Sequence, residues 1–90
     1  MSNDQTSQVS YPIILHPERI GYSVEIPDIN CGTWTQGDIK AEALAMARDL
    51  IITMLTGELQ YPSPTPLEQL KFSPAAGDIP KLVSVMLDRH

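Results

Sequence analysis

The sequence predicts one small α+β domain with the element order β-β-β-α-β. Three observations carry that prediction. A chain of 90 residues falls within the range of a single domain. Short β-branched and alternating runs occupy its first third, and one amphipathic helical pattern follows them. A last apolar run lies near the C-terminus, beyond a proline-rich stretch.

Residues 1–10 are mostly Ser, Asn, Asp and Gln and read as a disordered N-terminal tail, leaving 11–90 as the domain. Tyr11 to His16 is apolar and β-branched, with Pro12 placed near the strand start, where a missing N–H is tolerated. Pro17 to Gly21 is a turn. Tyr22, Val24 and Ile26 alternate with Ser23 and Glu25, the pattern of a half-solvated strand. A short connection between two such runs makes an antiparallel hairpin. Thr33 to Thr35 reads as a third strand at the sheet edge.

A helix is expected from Ile39 to Thr56, capped by Asp38 and stopped by Gly57. Ala43, Leu44, Ala47, Leu50, Ile51, Met54 and Leu55 share one face, while Glu42, Asp49, Thr53 and Thr56 lie opposite. The alanines permit close approach to a sheet. Tyr61 to Pro66 alternates proline with small residues and should form an extended connector. Leu67 to Leu70 fits one helical turn, and Phe72 to Pro80 is irregular. Leu82 to Leu87 is the final strand, apolar on both faces, which suits a position inside a sheet or at an interface. If the helix acts as a right-handed crossover, the last strand lies beside the first and parallel to it. The sheet face away from the helix is then left uncovered.

Composition narrows the function. The net charge is −5, and Arg19, Lys40, Arg48, Lys71, Lys81 and Arg89 are scattered, so nucleic acid is not the expected direct ligand. An acidic surface suits a basic protein partner, as it also suits plain solubility. Cys31 is the single cysteine, and no His/Cys spacing resembles a metal site. Neither a signal peptide nor a membrane-spanning run is evident, and a reducing cytoplasm is the expected compartment.

Gly21-Tyr22-Ser23-Val24-Glu25-Ile26-Pro27-Asp28, followed by Thr35-Gln36-Gly37-Asp38 and Ala41-Glu42-Ala43, resembles the HicB family of antitoxins. The Tyr11-Pro12 strand and Pro62-Ser63-Pro64 also fit, so the resemblance spans about residues 11 to 87. It implies a partial RNase H-like fold and a partner, HicA, a small basic toxin that cleaves messenger RNA. Where the family often reads P-D-L-P-G-C, this chain reads P-D-I-N-C-G with Trp34 close behind. Many members carry a C-terminal DNA-binding segment. This sequence stops at His90, so operator binding is not expected of it.

An RNase H-like fold raises two-metal nuclease chemistry, which needs several converging carboxylates. The first strand has none, Asp38 is accounted for as a cap and Glu42 as a solvent-facing helix residue, so no metal and no catalytic residues are expected. His16, at a strand end, and His90 read as exposed polar residues, and Cys31 as a small loop residue.

The expected partner-binding residues are Tyr22, Glu25, Asp28 and Trp34: two aromatics suited to anchor an interface and two acids suited to a basic toxin. Tyr22 reads as a core residue before an interface one, since core packing is the default role of an aromatic in so small a domain. The expectation is thus a cofactor-free, non-enzymatic antitoxin that covers a HicA-like toxin and forms a homodimer or higher oligomer. The alternative is a self-associating scaffold or ligand-sensing domain of the same fold without a toxin.

Overall fold

The computed structural model describes residues 6–88. Four strands and one helix follow in the order β1 (Thr6–Pro17), β2 (Tyr22–Ile26), β3 (Thr33–Gly37), α1 (Lys40–Leu55) and β4 (Ile79–Asp88). They form one sheet in the order β3-β2-β1-β4, with every neighbouring pair antiparallel.

Local turn chemistry sets the registers. The Glu18 N–H donates to the Gly21 carbonyl at 2.9 Å, and Gly21 takes φ 79°. This places Pro17 opposite Tyr22, Leu15 opposite Val24 and Ile14 opposite Glu25. Between β2 and β3, the Gly32 N–H donates to the Ile29 carbonyl at 2.9 Å. Asn30 and Cys31 both lie in the left-handed region, with φ 53° and 58°, as a type I′ turn requires of its central pair. Asn tolerates that conformation better than most residues; for Cys31 it costs on the order of 1 kcal/mol.

Strand alternation then divides the sheet into two faces. Tyr11, Ile13 and Leu15 of β1, Val24 and Ile26 of β2, and Val83, Val85 and Leu87 of β4 point to one face. There they bury Ala43, Ala47, Ile51 and Leu55 of α1, the apolar face expected from the sequence. Full burial of an Ile or Leu is worth about 1.5–3 kcal/mol, so this stripe is what holds α1 to the sheet. The approach is closest where β3 meets the helix start: a Cβ on Gly37 would lie 2.4 Å from the backbone nitrogen of Ala43.

Some expectations need correction. Asp38 does not cap the helix. Ile39 holds the N-cap position without a side-chain bond, and Glu42 reaches back to accept from the Asp38 backbone N–H. The first turn is thus tied by the acid inside it. Residues 6–10 of the expected tail are strand, because β4 runs far enough to supply their ladder, from Thr6 opposite Asp88 to Ser10 opposite Ser84. The remainder of that tail, 1–5, lies outside the described residues.

The last strand is beside the first, as expected, but antiparallel to it: Leu15 pairs with Ile79 and Tyr11 with Val83. The chain makes one more traverse than a simple crossover. The end of α1, at Met54 and Leu55, lies near Ile29 and Asn30, at the β2–β3 turn. The connector then travels back to the opposite end of the sheet, where β4 begins. Its proline segment is extended, at about 3.1 Å per residue in polyproline geometry, which suits it to that span. With β4 antiparallel, the parallel crossover of the RNase H-like expectation is absent.

The connector also covers part of the face expected to be open. Pro12, Ile14 and Leu70 are buried, and Leu70 lines a groove with Glu25, Pro27, Thr65, Gln69 and Lys71. A 3₁₀ turn at Leu67–Gln69 lies where one helical turn was expected.

Candidate interaction face

The sheet face opposite α1 receives the even-numbered side chains of β1, β3 and β4 and the odd-numbered ones of β2. This parity brings His16, Glu25 and Trp34 together from three adjacent strands. Glu25 and Trp34 are direct cross-strand partners. The His16 and Trp34 rings stack with centroids 5.1 Å apart and an interplanar angle of 27°. His16 Nε2 lies 3.0 Å from Glu25 Oε1, and Nδ1 lies 2.9 Å from Asp78 Oδ1. Asp78, at the end of the connector, is itself held by the Ser73 backbone N–H, which donates to Oδ2 at 2.9 Å.

The electrostatics follow from this clamp. Partial burial of His16 disfavours its charged form, but hydrogen bonds to Glu25 and Asp78 outweigh it, and the imidazole pKa rises above its ordinary 6.5. The Asp78 carboxyl is held below its ordinary 3.8, first by the Ser73 N–H and then by His16, against a burial effect that acts the other way. Both ring nitrogens can donate to their carboxylates at once only in the protonated ring, so the clamp is complete when His16 is an imidazolium.

With one nitrogen on Glu25 and the other on Asp78, the ring ties β1 to β2 and to the end of the connector. Ser23 faces His16 in the ladder, yet its hydroxyl donates to Glu18 Oε2 at 2.9 Å. Among the described residues, no group of three or more His, Cys, Asp or Glu side chains is placed to hold a metal ion.

The four residues singled out in the sequence part company. Glu25 and Trp34 share this face and touch the same imidazole. Tyr22 is half-buried on the opposite face, packed against the core beneath α1. Asp28 is turned onto the connector, where Oδ2 accepts the Thr65 backbone N–H at 2.7 Å and Oδ1 accepts the Thr65 hydroxyl at 2.6 Å. Tyr11 supplies a second attachment, its phenol donating to the Pro62 carbonyl at 2.6 Å. Burial, reinforced by Asp28 and Tyr61, raises the Tyr11 pKa and keeps that donor protonated.

His16 joins the site although its sequence position reads as a bland strand end. The signal was parity: His16 and Glu25 both lie off the core-facing register of their strands, and a tight hairpin makes them neighbours.

Large apolar side chains are exposed at both edges of this face. Trp34 on β3 is 55% exposed; on β4, Leu82 is 57% and Met86 58% exposed. Trp34 stands beside Glu25, while Leu82 and Met86 flank Ser84, whose hydroxyl lies 2.6 Å from that of Ser10. Among the described residues, no helix is long and apolar enough to cross a membrane. Comparison with known protein families, with curated proteins and with solved structures finds no match to this chain.

Proposed function

We propose that the chain is an antitoxin-type protein that binds a small basic HicA-like toxin and neutralises it by covering the surface with which the toxin cleaves messenger RNA. The observation that carries this reading is the exposed Trp34 held against His16 beside the Glu25 carboxylate. An aromatic anchor next to an acidic side chain is the composition that binds a basic protein surface. The clamp pre-organises both groups, which lowers the ordering cost of association. The net charge of −5 attracts a cationic partner at longer range. The motif series from Gly21 to Ala43 adds the family resemblance.

This reading needs no cofactor and no turnover, and it places the protein in the cytoplasm with its toxin's substrate. Co-expression of the chain with its cognate HicA-like toxin tests it. Expected are relief of growth arrest and a stoichiometric complex in which Trp34→Ala weakens affinity by roughly 30-fold, the size of a hot-spot loss of about 2 kcal/mol. Undiminished toxicity with both proteins expressed, and no complex on co-purification, would sink the proposal.

A further inference from the structure

The last strand carries an arrangement that the toxin-binding reading does not use. β4 is at the end of the sheet, and among the described residues β1 is its one strand neighbour. Its other edge presents a row of backbone donors and acceptors. Edge strands are usually blunted by charge, proline or a bulge. Pro80 and Lys81 do this at the start of β4, but Leu82-Val83-Ser84-Val85-Met86-Leu87 contains no charge at all.

That segment is also nearly palindromic about Ser84. Val83 and Val85 flank the serine, and Leu82 and Met86 flank the valines. A two-fold axis perpendicular to a sheet pairs an edge strand antiparallel with itself, and the interface must be self-complementary. With the axis through Ser84, each Leu82 falls opposite Met86 of the second copy, and each Val83 opposite Val85. The two Ser84 residues meet at the axis, and Lys81 lies opposite Leu87, so no like charges face each other. The exposed Leu82 and Met86 thereby cover one another on the outer face, the kind of cross-strand apolar pair that stabilises a sheet. Shifting the axis to Val83 or Val85 sets Leu82 or Met86 against Ser84 instead.

We propose that two copies of this chain pair through β4 about Ser84, joining their sheets into one of eight antiparallel strands with both helices on the same side. The two Trp34 faces then lie on the other side, at the two far edges. The pairing requires no toxin.

Sedimentation of the full chain from low micromolar to near-millimolar concentration tests the proposal, with the register read from paired substitutions. Unsubstituted protein is expected at twice its monomer mass of 9.9 kDa. The variant Leu82→Glu/Met86→Glu sets like charges opposite each other twice and should weaken dimerisation at least roughly tenfold. Leu82→Lys/Met86→Glu sets lysine opposite glutamate twice and should restore the dimer. A monomer throughout, a dimer indifferent to the two glutamates, or a Lys/Glu variant as monomeric as the Glu/Glu variant would each overturn the proposal.

If the Glu/Glu variant does not fold, hydrogen exchange on unsubstituted protein decides. Amide protection from Lys81 to Leu87 must rise with concentration, and unchanged protection overturns the pairing. A dimer that captures no toxin counts against the toxin reading alone; a monomer that captures toxin counts against the β4 pairing alone.

Discussion

Asp28 holds Thr65 by two hydrogen bonds, one from its backbone N–H at 2.7 Å and one from its hydroxyl at 2.6 Å. The pair joins the end of β2 to the proline connector, far apart in sequence. Without it the connector is attached by Tyr11 to Pro62 at one side and by Asp78 to His16 at the other. Asp28→Ala is expected to destabilise the protein by about 1.5–3 kcal/mol, the range for hydrogen bonds to a charged acceptor. Thr65→Val removes the hydroxyl alone and should cost less. Urea unfolding of both single variants and the double variant gives the coupling between them. Strictly additive effects would show that the two residues do not act as a pair.

The His16 clamp makes stability depend on pH with a definite sign. The folded imidazole pKa lies above 6.5, so its contribution is complete below that value and disappears as pH rises through the folded pKa. Asp78 acts in the opposite sense: its folded pKa lies below 3.8, so its contribution is present above 3.8 and is lost as pH falls through the folded value. Stability should therefore be greatest between these limits and decline on the alkaline side of 6.5. Chemical denaturation across this range, repeated with His16→Gln, isolates the histidine. The variant should lose the alkaline decline; an identical slope in both proteins would remove His16 as its source.

Two backbone positions should respond in opposite directions. Gly37→Ala inserts a methyl where only 2.4 Å separates the new atom from the Ala43 nitrogen, so β3 and α1 must move apart. A loss of about 1–3 kcal/mol is expected, as for other overpacked sites. Cys31→Gly relieves a left-handed φ of 58° at an exposed turn residue. It should stabilise the fold by about 1 kcal/mol. Thermal unfolding midpoints check both, and a rise for Gly37→Ala would show that the helix start yields easily.

The elements whose signals are local were legible. The apolar stripe of α1 follows from residue spacing, and Gly57 ends the helix region in a left-handed conformation, at φ 86°. The alternation from Tyr22 to Ile26 identifies β2 and its buried side, and Trp34 falls on an edge strand as its short run implies. Asp38 shows how local chemistry misleads by a small offset: a good capping residue stands one place before the cap, and Glu42 takes over the exchange of hydrogen bonds.

The candidate face was legible only in part. Glu25 and Trp34 were recognisable as polar and aromatic residues on neighbouring strands, but Tyr22 and Asp28 turn away to the core and to the connector. The role of His16 depends on Asp78, which is distant in sequence and arrives through the fold. Thr6 to Ser10 looked too polar for a strand because their hydrogen bonds come from β4, at the other end of the chain.

What the sequence determined by itself was the four strands and the helix, their order, and the apolar side of β2 and α1. Those properties rest on side-chain periodicity and turn chemistry, which act over a few residues. The direction of β4, the burial of Pro12, Ile14 and Leu70, and the assembly of His16 with Glu25, Trp34 and Asp78 were decided by tertiary structure. All depend on the path of the connector from the end of α1 back across the sheet. A proline-rich segment declares that it is extended, but periodicity does not encode which way it travels. Asp28, Tyr11 and His16 decide that by binding it at three points along the way.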